Sequence, residues 1–135
     1  YYGIIKMDIG TLRYSPKMLG NRVSENWWLI VDLDPELVKY YRHLYHISTY
    51  RCHKLIRPAW EAHISVIRNE EPVHKQFWEA HAGEKVEVEI HSELHTNGEY
   101  FWLDVACPRL YNIREELGLP REPYYPFHLS IGHNK

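Results

Sequence analysis

The sequence predicts an α+β fold, an antiparallel-rich sheet with helices packed on it, and three observations carry that prediction. Strand-like runs alternate with single helical segments along the chain. One run, KVEVEIH at residues 85–91, alternates strictly between charged and apolar residues, as a strand with one side in water does. Two others, AHISVIR at 62–68 and FHLSIGH at 127–133, repeat a His-apolar-Ser-apolar unit, once in mid-chain and once near the C-terminus.

The elements follow in order. Residues 3–9 form a short apolar piece that reads as a strand, and the Gly-, Ser- and Pro-punctuated stretch up to residue 26 reads as loop. WWLIVDL at 27–33 is a buried strand that runs into a helix with Asp34 as N-cap and Pro35 at its first position. That helix carries Leu37, Tyr40, Tyr41, Leu44 and Tyr45 at three- and four-residue spacing. After a connection through 49–58 comes a strand over 60–68, and residues 73–81 read as a short helix after Pro72, ended by Gly83. The strand at 85–91, the turn Thr96-Asn97-Gly98 and the strand at 100–106 make a hairpin. Pro108 opens a helix through Leu110, Ile113 and Leu117, closed by Gly118, and the last strand spans 127–133.

Composition narrows the function. A chain of 135 residues with 44% apolar content is expected to form a single domain over 1–135 with a real core. A net charge of -2 argues against a broad basic face for long double-stranded nucleic acid, and leaves a small anionic ligand open. Cys52 and Cys107 are the two cysteines, without a Cys-x-x-Cys pattern, which points to structural thiols in a reducing compartment, with a single disulfide between them as the alternative. No apolar run reaches membrane-helix length and no signal-peptide pattern opens the chain, so a cytoplasmic protein is expected.

The repeated unit carries the chemistry. Side chains alternate along a strand, so His63 and Ser65 share one face, Ile64 and Val66 the other, and His128 and Ser130 are arranged likewise against Leu129 and Ile131. One such unit is ordinary sheet surface. Two in matching strand contexts suggest a ring of two imidazoles and two hydroxyls, provided the strands are neighbours. In-line displacement at phosphorus uses such a set: one His removes the proton of the attacking hydroxyl and the other protonates the leaving oxygen. The Ser hydroxyls donate to the non-bridging oxygens as charge redistributes, and no metal or other cofactor is required. His46-Ile47-Ser48 belongs to a helix end, where i and i+2 do not share a face, and is set aside. The pairs His43/His46 and His91/His95 lack a third ligand at a recognised spacing and read as surface histidines.

His63-Ile64-Ser65-Val66 and His128-Leu129-Ser130-Ile131 resemble the paired His-apolar-Ser/Thr-apolar motifs of the 2H phosphoesterase superfamily, which includes cyclic phosphodiesterases. The resemblance runs from about Trp27 to the C-terminus and leaves residues 1–26 uncovered; Ser stands at both third positions, where many members have Thr. It implies a bilobal, pseudo-symmetric sheet with helices on the outer faces and a metal-independent site in the cleft between the lobes. His63, Ser65, His128 and Ser130 are then its catalytic four. In size and texture the chain is most similar to small phage-encoded members, some of which degrade cyclic oligonucleotide immune signals in the host cytoplasm.

A nucleotide substrate calls for aromatic faces and positive charge. Tyr100 and Trp102 share a strand face with Asp104, Tyr124 and Tyr125 precede the second His-Ser unit, and Tyr14 sits in the N-terminal loop; all are candidate stacking residues. Between Leu37 and Trp60 the chain has basic residues and no acid, with Arg51, Lys54 and Arg57 as candidate phosphate contacts. The expected activity is that of a phosphoric diester hydrolase acting on a nucleotide with an adjacent 2'-hydroxyl, a cyclic phosphate or a cyclic oligonucleotide messenger. Three alternatives stand beside it: an RNA-end-processing cyclic phosphodiesterase, a nucleotide-sequestering module without turnover, and a duplicated strand unit without chemistry.

Overall fold

A computed structural model describes residues 5–14, 27–49, 55–57 and 62–134. The candidate contacts Arg51 and Lys54 lie outside these residues.

Local sequence accounts for most elements. Strand β1, Ile5–Tyr14, extends further than its apolar opening suggests, because its backbone is held on both edges, by β2 (Trp28–Asp32) and by β4 (Lys85–Thr96). Gly10 permits this pairing, since a Cβ there would collide with the Val31 side chain. Helix α1, Pro35–Ser48, starts as its sequence predicts: Asp34 Oδ1 accepts from the Glu36 N–H at 3.0 Å and Pro35 occupies the first turn. β3 is His63–Arg68 and β5 is Tyr100–Ala106. The turn between β4 and β5 uses Asn97 Oδ1, which accepts from the N–H groups of Glu99 and Tyr100, and Gly98 at φ +97°. Helix α2 is Pro108–Glu116, and β6 is His128–His133.

The helix expected over 73–81 is not formed; the segment makes one 3-10 turn at Lys75–Phe77. The N–H groups of Val73 and His74 are drawn to the Leu117 carbonyl, Val73 and Phe77 face solvent, and Glu79 takes a left-handed φ of +69°. With little apolar surface to bury, nothing offsets the cost of nucleating a helix there.

The sheet is antiparallel and closes into a barrel in the order β1-β2-β3-β6-β5-β4. Exchanging β1 with β4, β2 with β5 and β3 with β6 leaves that order unchanged. Each half is therefore a strand-strand-helix-strand unit, and the halves are related by a pseudo-two-fold between β3 and β6. The two halves do not stand apart as separate lobes: β1 and β4 pair from Ile5↔His91 to Thr11↔Lys85, and one core is shared. The helices cross over, α1 packing against β6 and α2 against β3. Leu37, Val38 and Tyr41 of α1 and Leu110, Ile113 and Leu117 from the α2 segment join Val31, Ile64, Val88, Leu103 and Leu129 in that core. Among the described residues no helix is long and apolar enough to cross a membrane.

Candidate active site

The two His-Ser units lie on adjacent strands. β3 and β6 meet at the antiparallel pair Ile64↔Leu129, both residues fully buried, which turns His63, Ser65, His128 and Ser130 to the opposite face. All four are half-buried. One step on either side of that pair, antiparallel register sets His63 across from Ser130 and Ser65 across from His128. The two histidines are then diagonal neighbours, with Cβ atoms about 7–8 Å apart at ordinary sheet spacing. Because the strands share one ladder pair and diverge beyond it, that figure is a lower bound.

Each unit has matching surroundings. Asp32 of β2 lies across from His63, and Asp104 of β5 lies across from His128. Asp32 is held by Arg13 of β1 at 2.6 Å, and Asp104 by His95 of β4 at 3.0 Å. Burial raises the Asp32 carboxyl above the ordinary aspartate range, and the Arg13 guanidinium partly offsets that. His128 Nδ1 lies 2.9 Å from the Pro126 carbonyl, a contact that calls for a proton on Nδ1 and leaves Nε2 for proton exchange in the neutral ring. The ring of His63 meets Trp28 edge-on at 6.0 Å, and that of His128 meets Trp102 at 6.3 Å.

Both strands bulge at the same step after the motif. Ile30 faces Ser65 while Leu29 faces Ile67, so Val66 is an extra residue; Trp102 faces Ser130 while Phe101 faces Gly132, so Ile131 is its counterpart. A helix from the other half holds each bulge. Arg114 Nη1 of α2 donates to the Val66 carbonyl at 2.9 Å, and Arg42 Nη1 of α1 donates to the Ile131 carbonyl at 3.1 Å. Arg114 is fully buried; its guanidinium also bonds both Glu70 carboxylate oxygens at 2.8 Å and the Pro120 carbonyl at 2.9 Å.

No family model, curated protein or solved structure matches this chain. The chemistry of the site therefore rests on its own residues.

The bulge changes which residues β3 shows beside His63. A regular β3 would turn Arg68 away from His63, but the extra Val66 restores it to the same face, paired with Trp28 and with its guanidinium 5.5 Å from that ring. The signal was present in the sequence, since both HISVIR and HLSIGH lose their alternation after the fourth residue. Among the other candidates, Tyr100 and Trp102 do share the sheet face of His63, Ser65, His128 and Ser130, Trp102 across from Ser130 and Tyr100 across from His133. Tyr124 and Tyr125 are strongly exposed and pack edge-on against each other at 4.7 Å. Arg57 is exposed and follows Ile56, which bridges to His133 at the end of β6.

Tyr14 is a correction. It points inward with Leu12, is 8% exposed, and packs edge-on against Trp78 at 4.8 Å, so it belongs to the core and does not stack substrate. Burial accordingly raises its phenol above the ordinary tyrosine value. Cys107 is buried and unbridged, with its thiol pushed up by desolvation; Cys52 lies outside the described residues. His95, read as a surface residue, pairs with Asp104 and stacks on Trp102 at 6.2 Å, which places it in the shell around His128. Among the described residues no group of three His, Cys, Asp or Glu is arranged to hold a metal ion.

Proposed function

We propose that this chain is a two-histidine phosphodiesterase of the 2H phosphoesterase type, acting on a nucleotide phosphodiester or cyclic phosphate. The carrying observation is the adjacency of β3 and β6 at the antiparallel pair Ile64↔Leu129, a register that sets each His toward the Ser of the other unit. The twofold repetition of strand-strand-helix-strand, down to the bulge after each motif, supports assigning both units to one symmetric site.

In this reading a phosphate sits over the Ile64–Leu129 crossing. One imidazole takes the proton of the attacking hydroxyl as its oxygen bonds to phosphorus, and the opposite imidazolium protonates the leaving oxygen as the P–O bond breaks. A separation of about 7–8 Å or somewhat more between Cβ atoms leaves room for the phosphoryl group and one hydrogen bond on each side. Ser65 and Ser130 donate to the non-bridging oxygens. The two imidazoles supply both proton transfers, so the chemistry requires no metal. His128, with Nδ1 facing the Pro126 carbonyl, exchanges its proton through Nε2.

The test is turnover of 2',3'-cyclic nucleotides and of cyclic di- and trinucleotides in EDTA by wild type, His63→Ala and His128→Ala. Each substitution is expected to lower kcat by about 10²- to 10⁴-fold, and wild-type kcat/KM should follow a bell in pH. Retained activity in both variants, or activity that EDTA abolishes and added metal restores, would overturn the proposal. Binding without turnover would make the protein a sequestering module.

A further inference from the structure

The sheet face that carries the four catalytic candidates extends beyond them, and its two ends are alike. On one side Arg68 lies over Trp28; on the other Tyr100 is paired with His133, ring centroids 6.0 Å apart. These pairs occupy equivalent places under the pseudo-two-fold, each just past its bulge. Trp28 is 5% exposed, whereas Arg68, its guanidinium 5.5 Å from that ring, is exposed. Among the described residues no carboxylate is ion-paired to Arg68. Tyr100 is 53% exposed, and Arg57 follows the residue that bridges to His133. At one end the planar Arg68 guanidinium can itself stack on a base or meet a phosphate; at the other the exposed Tyr100 ring stands beside the His133 imidazole.

Their spacing sets the length of ligand. Arg68 and His133 each lie four residues beyond the Ile64–Leu129 crossing, and the strands run in opposite directions. Each bulge residue adds no step, since the partners advance three residues, Val31 to Trp28 and Leu103 to Tyr100; at about 3.3 Å per residue the ends are about 20 Å apart along the strands. A mononucleotide or a cyclic dinucleotide cannot reach both.

We infer that the substrate is a linear single-stranded oligonucleotide, with its scissile phosphate at the crossing and flanking nucleotides on the Arg68 and Tyr100 ends. This rests on the proposed activity for the position of the scissile phosphate. The ligand is about four nucleotides or longer, and the charged residues at each end read its backbone with little regard for sequence.

The test separates binding from turnover. Fluorescence anisotropy with 3'-labelled single-stranded oligoribonucleotides of two, four, six and eight residues, and competition by a cyclic dinucleotide, are measured on wild type, Arg68→Ala and Tyr100→Ala. Affinity is expected to rise from the dimer to the hexamer and then level off. Each variant should lose about tenfold on the hexamer and little on the dimer. Affinity that does not depend on length, competition by the cyclic dinucleotide as strong as by the hexamer, absence of binding, or variants equal to wild type would overturn the inference. Cleavage of the same oligonucleotides is read in parallel. Length-dependent binding without cleavage would sustain the extended site while refuting the two-histidine activity.

Discussion

Arg114→Met should destabilise the protein by about 3 kcal/mol, near the lower end of the cost of breaking a buried ion pair. The side chain is fully buried and its guanidinium makes four hydrogen bonds, to Val66, to Pro120 and twice to Glu70. Methionine fills much of the volume and restores none of these bonds. Glu70 is 33% exposed and can turn to water, and Pro120 is exposed, so neither remains a buried orphan. The Val66 carbonyl cannot escape, because Val66 is 2% exposed and its bulge leaves that oxygen dependent on the guanidinium. That orphaned oxygen and the lost charged hydrogen bonds add up to a few kcal/mol. For 135 residues, at about 2.1 cal/mol/K of unfolding entropy per residue, Tm should fall by about 10 °C. Urea denaturation supplies the free energy and thermal melting the shift. Arg42→Met is the comparison: this side chain is half-buried and its bond to Ile131 is longer, so a cost of about 1–2 kcal/mol is expected. A loss below about 1 kcal/mol for Arg114→Met would refute the claim that the bulge depends on its guanidinium. In the folded variant, turnover should fall as well, because Val66 joins Ser65 to the strand end that carries Arg68.

Two further outcomes follow from the same geometry. Gly132→Ala would bring a Cβ to 2.7 Å from Leu55 Cβ and 2.9 Å from the Ile56 carbonyl, so a loss of about 1–3 kcal/mol in urea is expected, and an unchanged midpoint would show that residues 55–57 yield freely. The hydrogen bonds from Arg109 hold the Glu84 carboxyl below the ordinary glutamate range. A lowered folded-state value stabilises the protein above the unfolded glutamate pKa and is lost as pH falls through the folded one, so stability should drop on acidification below about pH 4.3. Burial raises Asp32, which acts in the opposite sense. Arg109→Ala should flatten the acid limb of a stability-against-pH curve, and an acid limb as steep as that of the wild type would count against the assignment.

How much was legible beforehand can be judged from particular residues. The strand at 100–106 and the helix opening at Pro35 follow from alternation, an N-cap and a proline, all of which act within a few residues. The catalytic candidates were legible for the same reason: alternation puts His and Ser of one unit on one face whatever the strand's partners. The failed helix at 73–81 and the inward Tyr14 were not legible. Helix formation there depended on whether a neighbour offered an apolar surface, and Tyr14 on which face of β1 the barrel would close over.

The sequence by itself thus determined the faces: which side chains each strand shows to either side, and that two strands carry the same His-Ser pair. Tertiary structure decided that these strands are neighbours, because pairing between β3 and β6 joins residues more than sixty positions apart and no local pattern encodes it. It also decided that each bulge is held by an arginine from the opposite half, and that Arg68 shares the face of the two His-Ser units. An extra residue inverts the alternation of everything after it, and whether a strand carries one depends on the partner it must match.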